Sequence, residues 1–272
     1  MITLNKTQYK LALIDTNILS EIVKNRFQEF QKILKWADSQ KAIICFSLFS
    51  ILEIRKVPII YEKFLELFSV IPCIILKSHE QLLQAEVTVY PVFSNVDPVL
   101  VGFAGPLAKA KLKDVLDTAF NENQILLDEK KWNSGREEIV AGIKGLVSNF
   151  PPDNGKYTKQ KIREFVQLAG FQQIAIRQNK FANSIVKSKN SVDIDAFPSI
   201  KMTSLVVFYK FYADSRQSLT SDAFDIIIFS LTPYVDVVIS ENHFVEIIKK
   251  IKSQDSFIDH VNAFNISYLR SL

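Results

Sequence analysis

The stretch LALIDTN at residues 11–17 decides the fold of this chain. Four apolar residues are followed at once by Asp15, Thr16 and Asn17, a pattern typical of a buried strand that ends in a polar turn. Helical periodicity follows this turn, and a second apolar run comes after the helices. Apolar strands that alternate with amphipathic helices indicate an α/β protein with a parallel sheet.

The same alternation returns near both ends of the chain. Strands are predicted at residues 11–14, 42–47, 73–77, 236–240 and, at an edge, 261–266. Helices are predicted at residues 18–37 with a break near Asn25, and at 48–56, 59–68, 222–231 and 243–252. Because strands that are joined by helical crossovers lie parallel, we expect an α/β core with a central parallel sheet of four to five strands.

Residues 79–214 differ in character from the two ends of the chain. Amphipathic helical stretches replace the strand-like runs, and Pro and Gly interrupt them at several points. We therefore expect a discontinuous core, made of residues 1–78 and 215–272, that carries residues 79–214 as a large helical insertion or lid. The last helix of this insertion is expected at about residues 203–212.

The composition narrows the class of protein. Hydrophobic residues make up 48% of the 272, which is enough for a filled core, so disorder is not expected. The seven glycines form no phosphate-binding loop, and the two cysteines and three histidines form no zinc motif. Apolar runs stay below the roughly 18 residues that a membrane span requires. The expectation is a soluble, cytoplasmic protein without a membrane partner.

Acidic residues stand where the predicted strands end. Asp15 follows the first strand and Glu241 follows the fourth, so both lie at the carboxyl ends of strands, where α/β proteins bind ligands. Asp222 and Asp225 lie on one face of the first turn of a helix, whose dipole partly offsets their charge. Carboxylates at one rim repel each other unless a hard cation such as Mg²⁺ or Mn²⁺ lies between them.

Two further acids are harder to place. Glu53 lies in the helix after the second strand, between Leu52 and Ile54. Helical periodicity alone is compatible with a Glu53 side chain that faces solvent. Asp236 begins the fourth strand, five residues before Glu241, which corresponds to about 16 Å along an extended chain. We therefore expect Asp236 at the opposite rim, as a strand-start cap, and exclude it from the site.

Four short motifs in this chain resemble those of PIN-domain nucleases. They are residues 15–17 (DTN) after an apolar strand, 47–54 (SLFSILEI), 221–225 (SDAFD) and 238–242 (VISEN). The resemblance covers residues 1–77 and 215–272 and implies a PIN-like three-layer fold for this part of the chain. It also implies a Mg²⁺- or Mn²⁺-dependent endonuclease, most often an endoribonuclease, that hydrolyses phosphodiester bonds with a metal-activated water.

The resemblance assigns roles to individual residues. The implied catalytic metal ligands are Asp15, Glu53, Asp225 with Asp222 as a near equal, and Glu241. At the last position the family more often has Asp, so a ligand that acts through water is one possibility. The residues expected to bind substrate near these acids are Asn17, Ser47, Arg55 and Asn242.

A basic segment suggests a surface for a polyanion. Residues 153–190 contain eight Lys or Arg against two acids, in a chain whose net charge is +4. Two interpretations stay open: a solvated helical face, or a track for the phosphate backbone of RNA that includes Lys159 and Arg163. Tyr157 and Phe181 are candidates for stacking on unpaired bases.

Three functions remain open at this point. The leading hypothesis is the metal-dependent nuclease, in the role of a toxin, a defence nuclease or an RNA-processing enzyme. The second is a catalytically degenerate PIN-like fold that serves as an RNA-binding or protein-interaction module. The third is a hydrolase or phosphatase for a small molecule, which lacks the expected GxSxG or DxD motif. The helical insertion is the candidate interface for a homodimer or a protein partner.

Overall fold

The computed structural model describes residues 2–4, 7–25, 27–91, 96–150, 157–188, 191–214 and 216–271. Its strands are β1 (Ile2–Leu4), β2 (Thr7–Ile14), β3 (Ala42–Ser47), β4 (Pro72–Leu76), β5 (Val99–Ala104), β6 (Val237–Ile239) and β7 (Asn262–Phe264). Its helices are α1 (Thr16–Asn25), α2 (Phe27–Ser39), α3 (Leu48–Arg55), α4 (Pro58–Phe68), α5 (His79–Val89), α6 (Leu112–Phe120), α7 (Asn123–Asn149), α8 (Lys159–Arg177), α9 (Asn179–Lys187), α10 (Pro198–Val207), α11 (Asp222–Phe229), α12 (Asn242–Gln254) and α13 (Ile266–Ser271). None of these helices is both long and apolar enough to cross a membrane.

Six strands form one mostly parallel sheet in the order β5-β4-β3-β2-β6-β7. The neighbours from β4 to β7 are parallel, whereas β5 pairs antiparallel with β4 at one edge. β1 pairs antiparallel with the first residues of β2. The chain moves outward from β2 through β3 and β4, and later returns to the other side of β2 at β6. The sheet therefore has a switch point between β2 and β6.

The α/β class was predicted from the sequence and is confirmed; the central parallel sheet was predicted with four to five strands, and the structure has a mostly parallel sheet of six. β2 begins at Thr7, four residues earlier than expected, because its first residues are only half-buried and pair with β1. One strand within residues 79–214 was not predicted from the sequence. β5 lies within that range and adds an antiparallel edge strand to the sheet.

The middle of the chain shares one hydrophobic core with the sheet. α10 is buried on all sides from Ser199 to Val207, as expected for a helix that is apolar around its circumference. Glu86 of α5 accepts hydrogen bonds from the backbone N–H of Ser199 at 2.8 Å, from the Ser199 hydroxyl at 2.7 Å and from the Tyr234 hydroxyl. The bond from Tyr234 connects the predicted insertion to the segment that leads into β6.

Candidate active site

The switch point of the sheet carries Asp15 and Glu241. Asp15 follows Ile14, the last residue of β2, and its backbone N–H donates to the carbonyl oxygen of Ile239 at 3.1 Å. Ile239 is the last residue of β6 and pairs in register with Ile14. The residues that follow the two strands therefore lie side by side, with Asp15 next to Ser240 and Glu241.

Asp15 is 6% exposed and uses both carboxylate oxygens. Its Oδ1 accepts from the backbone N–H groups of Asn17 at 2.8 Å and Ile18 at 3.2 Å, which caps α1, and its Oδ2 accepts from the Ser240 hydroxyl. Burial raises the pKa of Asp15 to about 6; these hydrogen bonds oppose the rise, and the charge of Glu241 adds to it. Perturbed carboxyl groups of this kind are concentrated at functional sites, although a structural cap explains part of the arrangement.

Glu241 is exposed and is held in place by Asn17. The Nδ2 of Asn17 donates to the Oε1 of Glu241 at 2.6 Å. This bond joins the turn after β2 to the turn after β6, and it fixes the Glu241 carboxylate relative to Asp15. Asn17 was expected to bind substrate, and in the structure its side chain instead orients a carboxylate of the site.

Glu53 faces the site from α3. The Thr16 hydroxyl donates a hydrogen bond to the hydroxyl of Ser50 at 3.0 Å, and the Thr16 side chain also interacts with Glu53. Burial raises the pKa of Glu53, the Thr16 bond lowers it and the charge of Asp225 raises it further. The solvent-facing position that the sequence left open is therefore excluded, because the Glu53 carboxylate is half-buried beside another acid.

Asp225 and Asp222 share a buried lysine. The Nζ of Lys210 lies 2.7 Å from the Oδ1 of Asp222 and 3.1 Å from the Oδ2 of Asp225, and its side chain is 1% exposed. Lys210 belongs to a π-helical turn, Phe208–Ala213, that continues α10, and such turns are frequent at functional sites. Burial raises the pKa of Asp225, Lys210 lowers it, and the charges of Asp222 and Glu241 raise it.

Asp222 has a different position from Asp225. Its Oδ2 accepts from the backbone N–H of Leu219 at 2.7 Å, and its Oδ1 also lies 3.4 Å from the guanidinium of Arg216. Lys210 contacts the same Oδ1, so both oxygens of the Asp222 carboxylate are bound by groups of the protein. The two acids were near equals in the sequence, and the structure places Asp225 toward the other carboxylates and Asp222 in the interior.

Four carboxylates are linked pair by pair through their electrostatic interaction and are here called the carboxylate row: Asp15, Glu241, Asp225 and Glu53. The charge of Glu241 raises the pKa of both Asp15 and Asp225, and the charge of Asp225 raises the pKa of Glu53. Each member is therefore coupled electrostatically to the next. Asp236 lies at the opposite end of β6, as expected, where its Oδ2 accepts a backbone N–H at the start of the buried part of β2 at 2.8 Å.

The oxygens of the carboxylate row suit a hard cation, but they do not form a ready-made cage. Within the described ranges, no three His, Cys, Asp or Glu side chains lie close enough together to hold a metal ion. Mg²⁺ is usually held by one or two carboxylates, with waters and substrate phosphates as its other ligands. The donor chemistry therefore fits Mg²⁺ or Mn²⁺ that is bound together with a substrate.

Three residues expected to bind substrate have protein partners. Ser47 is buried and caps α3, where its hydroxyl accepts a backbone N–H at 3.2 Å. Arg55 lies 3.6 Å from the carboxylate of Asp117 on α6. Asn242, the first residue of α12, accepts a hydrogen bond from Asn265. The structure therefore gives these three side chains structural contacts and places none of them in the carboxylate row.

The two basic residues predicted to follow an RNA backbone line a separate cavity. Lys159 and Arg163 lie at the start of α8 and border a cavity of about 300 Å³, together with Asp195. No member of the carboxylate row lines this cavity. Lys156 and Lys189, which belong to the same predicted track, lie outside the described residues. A continuous path from this track to the row is therefore not part of the described structure.

The predicted stacking residues are packed against other rings. The ring centre of Tyr157 lies 5.2 Å from that of Phe208, and the ring centre of Phe181 lies 5.3 Å from that of Tyr90. Both contacts are edge-on, and both side chains are half-buried. Both rings therefore take part in packing between helices, and base stacking on them stays a prediction.

Two cations near the carboxylate row were missed from the sequence. Lys210 is the one charged residue of the stretch LVVFYKFYA at residues 205–213. A single cation within an apolar run was the sequence feature that could have indicated its role. Arg136 of α7 has its guanidinium carbon 3.9 Å from the centre of the Phe224 ring, and its charge lowers the pKa of Glu53. Nothing in the local sequence of α7 indicates this contact, because it arises between distant helices.

Comparison of the chain with protein-family models, with curated proteins and with solved structures finds no match. The geometry of the switch point and of the carboxylate row is therefore the basis for the functional assignment that follows.

Proposed function

We propose that this protein is a Mg²⁺- or Mn²⁺-dependent endonuclease that cleaves RNA. The observation that carries the proposal is the carboxylate row at the switch point between β2 and β6. In open α/β sheets, ligands bind in the crevice at this point. Acidic oxygens gathered there select hard cations, and phosphate-bearing substrates bind through such cations. The four motifs that resemble PIN-domain nucleases contain the same four acids, which supports this class of enzyme.

The residues around the row hold its carboxylates in fixed positions. The first turn of α1 and the Ser240 hydroxyl fix Asp15, and Asn17 fixes Glu241. Asp15, Glu53, Asp225 and Glu241 are the residues that would hold the metal ion. When bound, the ion would supply an activated water and neutralise charge on the phosphate. Held carboxylates lose little freedom on binding, which favours the bound state.

Two cationic side chains near Glu53 are candidates for binding a phosphate group of the substrate. The charges of Lys56 and Arg136 both lower the pKa of Glu53, so both lie within electrostatic reach of it. The Nε of Arg136 is buried and has no hydrogen-bond partner among the described residues. A guanidinium with an unused N–H is suited to a phosphate oxygen, since Arg binds phosphate through several N–H groups at once.

The decisive experiment compares two aspartates of the same sheet. Asp15→Asn removes a charge from the carboxylate row, and Asp236→Asn makes the same change at the opposite rim. With a fluorescent single-stranded RNA and Mn²⁺, we expect cleavage by the wild type and by Asp236→Asn, and no cleavage by Asp15→Asn. Chelation of the metal should stop cleavage. If Asp15→Asn cut RNA as fast as the wild type, the site assignment would be wrong, and a preference for single-stranded DNA would change the substrate class.

A second candidate function has specific support. Lys210 already neutralises part of the acidic charge, and the described side chains contain no three-ligand metal set. These observations favour a catalytically inactive fold that binds RNA or a protein partner. Calorimetric titration with Mn²⁺ separates the two functions, because an inactive site should show no saturable binding at or below low millimolar concentrations. Saturable binding that is lost in Asp15→Asn supports the nuclease.

A further inference from the structure

A second cavity lies between four helices, away from the carboxylate row. It has a volume of about 340 Å³ and is bordered by α7, α8, α10 and α11. Its wall is largely apolar and includes Ile139 and Ile143 of α7, Val207 of α10, and Ile226 and Ile227 of α11. None of the four carboxylates of the row lines it. Mostly apolar cavities of this size with a few polar groups are typical of sites for small molecules.

Two polar side chains in the wall lack hydrogen-bond partners. His79 and Trp132 line the cavity and are 1% and 3% exposed. Both ring nitrogens of His79 and the Nε1 of Trp132 have no partner among the described residues. Leaving a buried polar group unpaired is unfavourable, so most buried polar atoms are paired with protein or with water. The partners of these nitrogens must come from outside the described side chains, either from water or from a ligand in the cavity.

The chemistry of these two side chains restricts what can bind. Burial, with the nearby charges of Arg177 and Lys131, lowers the pKa of His79 well below its usual value, so the imidazole is neutral. A neutral imidazole offers one donor and one acceptor, and the indole of Trp132 offers a donor only. A ligand that satisfies both needs an acceptor for the indole N–H and a polar edge for the imidazole.

The charges at the rim are balanced. Arg177 is paired with Glu80, and Lys131 lies 3.8 Å from the same Glu80 carboxylate. Glu138 is a further acidic residue of the wall. With cations and acids present together, the rim attracts neither an anion nor a cation strongly. An uncharged ligand is therefore favoured over a phosphorylated or strongly charged one.

Glycine widens the cavity on α7. Gly135 and Gly142 both line it, and an added Cβ at either position would meet no atom within 4 Å. They are seven residues apart, which places them on one face of the helix. Glycine in a helix interior is less stable than alanine, and at these two positions it leaves open volume beside the helix. The two positions are therefore suited to variants that fill the cavity without a clash.

We propose that the cavity between α7, α8, α10 and α11 binds an uncharged and mainly apolar small molecule that hydrogen-bonds to His79 and Trp132 through one polar edge. The site is distinct from the proposed nuclease site, so either proposal can fail without the other. Because Ala223, Ile226 and Ile227 of α11 line the cavity, the ligand contacts the helix that carries Asp225.

The test uses prodan, an uncharged planar naphthalene ketone whose emission shifts to the blue in apolar surroundings. We expect the full chain to bind one molecule, with a blue shift that saturates. Gly142→Leu should weaken binding at least tenfold by filling the cavity. Gly145→Leu is the matched control, because it lies on the same helix, also meets no atom within 4 Å and does not line the cavity. It should bind as the wild type does.

A second variant tests the polar edge. His79→Phe keeps a ring of similar size and removes the hydrogen-bonding nitrogens, so it should weaken prodan binding about fivefold while unfolding no earlier than the wild type. A merely structural histidine would change stability and leave affinity unchanged. The proposal is overturned if the wild type gives no saturable blue shift, if Gly142→Leu binds as tightly as Gly145→Leu, or if His79→Phe leaves the affinity unchanged.

Discussion

The Nζ of Lys210 lies 2.7 Å from the Oδ1 of Asp222, and the two side chains are 1% and 2% exposed. Burying two charges costs several kcal/mol, which their attraction recovers only when the geometry is good. The same Nζ reaches Asp225 at 3.1 Å, so one lysine connects a buried ion pair to the carboxylate row. A change at Lys210 should therefore act on the stability of the fold and on the candidate active site together.

Lys210→Met should destabilise the protein by about 3 kcal/mol, because it leaves the buried carboxylate of Asp222 without its closest cation. Mn²⁺ should recover part of this loss, since a divalent cation that binds only the folded state raises the free energy of unfolding. Urea denaturation with and without Mn²⁺ measures both effects. We expect the metal to stabilise the variant more than it stabilises the wild type.

Lys250→Met is the control for this change. Lys250 lies 2.9 Å from the carboxylate of Asp214, but both side chains are substantially exposed. Exposed ion pairs contribute about 0–1 kcal/mol, so this variant should lose little stability and show no special response to Mn²⁺. Equal losses in the two variants would mean that burial of Lys210 has no energetic consequence.

Asn17→Ala should separate activity from stability. Asn17 and Glu241 are both exposed, so loss of their hydrogen bond should lower the free energy of unfolding by about 1 kcal/mol or less. Mutation of a residue that orients a metal ligand typically lowers metal affinity or activity by about 10- to 100-fold. RNA cleavage and Mn²⁺ affinity should fall together by an amount in this range.

The matched change is Asn183→Ala, which also removes an exposed asparagine with a single side-chain partner, Asn179. It lies on α9 and should leave Mn²⁺ affinity and cleavage unchanged. Equal behaviour of the two variants would show that Asn17 has no orienting role.

Glu86 should make the stability of the protein depend on pH. Burial raises the pKa of Glu86 to about 7, against the hydrogen bonds from Tyr234 and Ser199 that lower it. The folded state therefore holds this proton more tightly than the unfolded state. Its contribution to stability is complete below the unfolded pKa, near 4.5, and is lost as the pH rises through about 7.

Glu86→Gln should flatten this dependence. Between pH 5 and pH 8 the wild type should lose up to about 3 kcal/mol relative to the variant. Urea denaturation at several pH values provides the measurement. Parallel pH profiles for the two proteins would mean that Glu86 is ionised in the folded state over the whole range.

Gly105→Ala should destabilise the edge of the sheet. Gly105 has φ of +65°, and an added Cβ would lie 2.8 Å from the carbonyl carbon of Ile71 and 3.0 Å from the nitrogen of Pro72. A left-handed conformation with a side chain and a contact with backbone atoms should together cost about 2 kcal/mol or more.

Gly102→Ala provides the comparison for Gly105, because it lies in β5 and an added Cβ there meets nothing within 4 Å. It should change the free energy of unfolding by less than about 1 kcal/mol, and in the stabilising direction, since glycine weakens a strand. A loss as large as that of Gly105→Ala would contradict the assignment of the strain to Gly105.

The sequence by itself determined the α/β class, a mainly parallel sheet and the ends at which Asp15 and Glu241 lie. These features follow from local rules: apolar runs form buried strands, and the polar residue after such a run must stand at a rim. The exclusion of Asp236 followed in the same way, because the length of an extended strand fixes the distance between its ends.

Only the tertiary structure decided which way the remaining acids face. Asp222 and Asp225 share a helix face and a sequence context. Only Asp222 lies in the interior, where it contacts Lys210 and accepts a hydrogen bond from the N–H of Leu219. Glu53 is half-buried and interacts with Thr16 of α1 and with the charge of Asp225 on α11, both supplied by other elements. Side-chain position and the charge around it depend on contacts between distant segments, and no local pattern encodes those contacts. β5 was not predicted for the same reason, because its place in the sheet depends on pairing with β4.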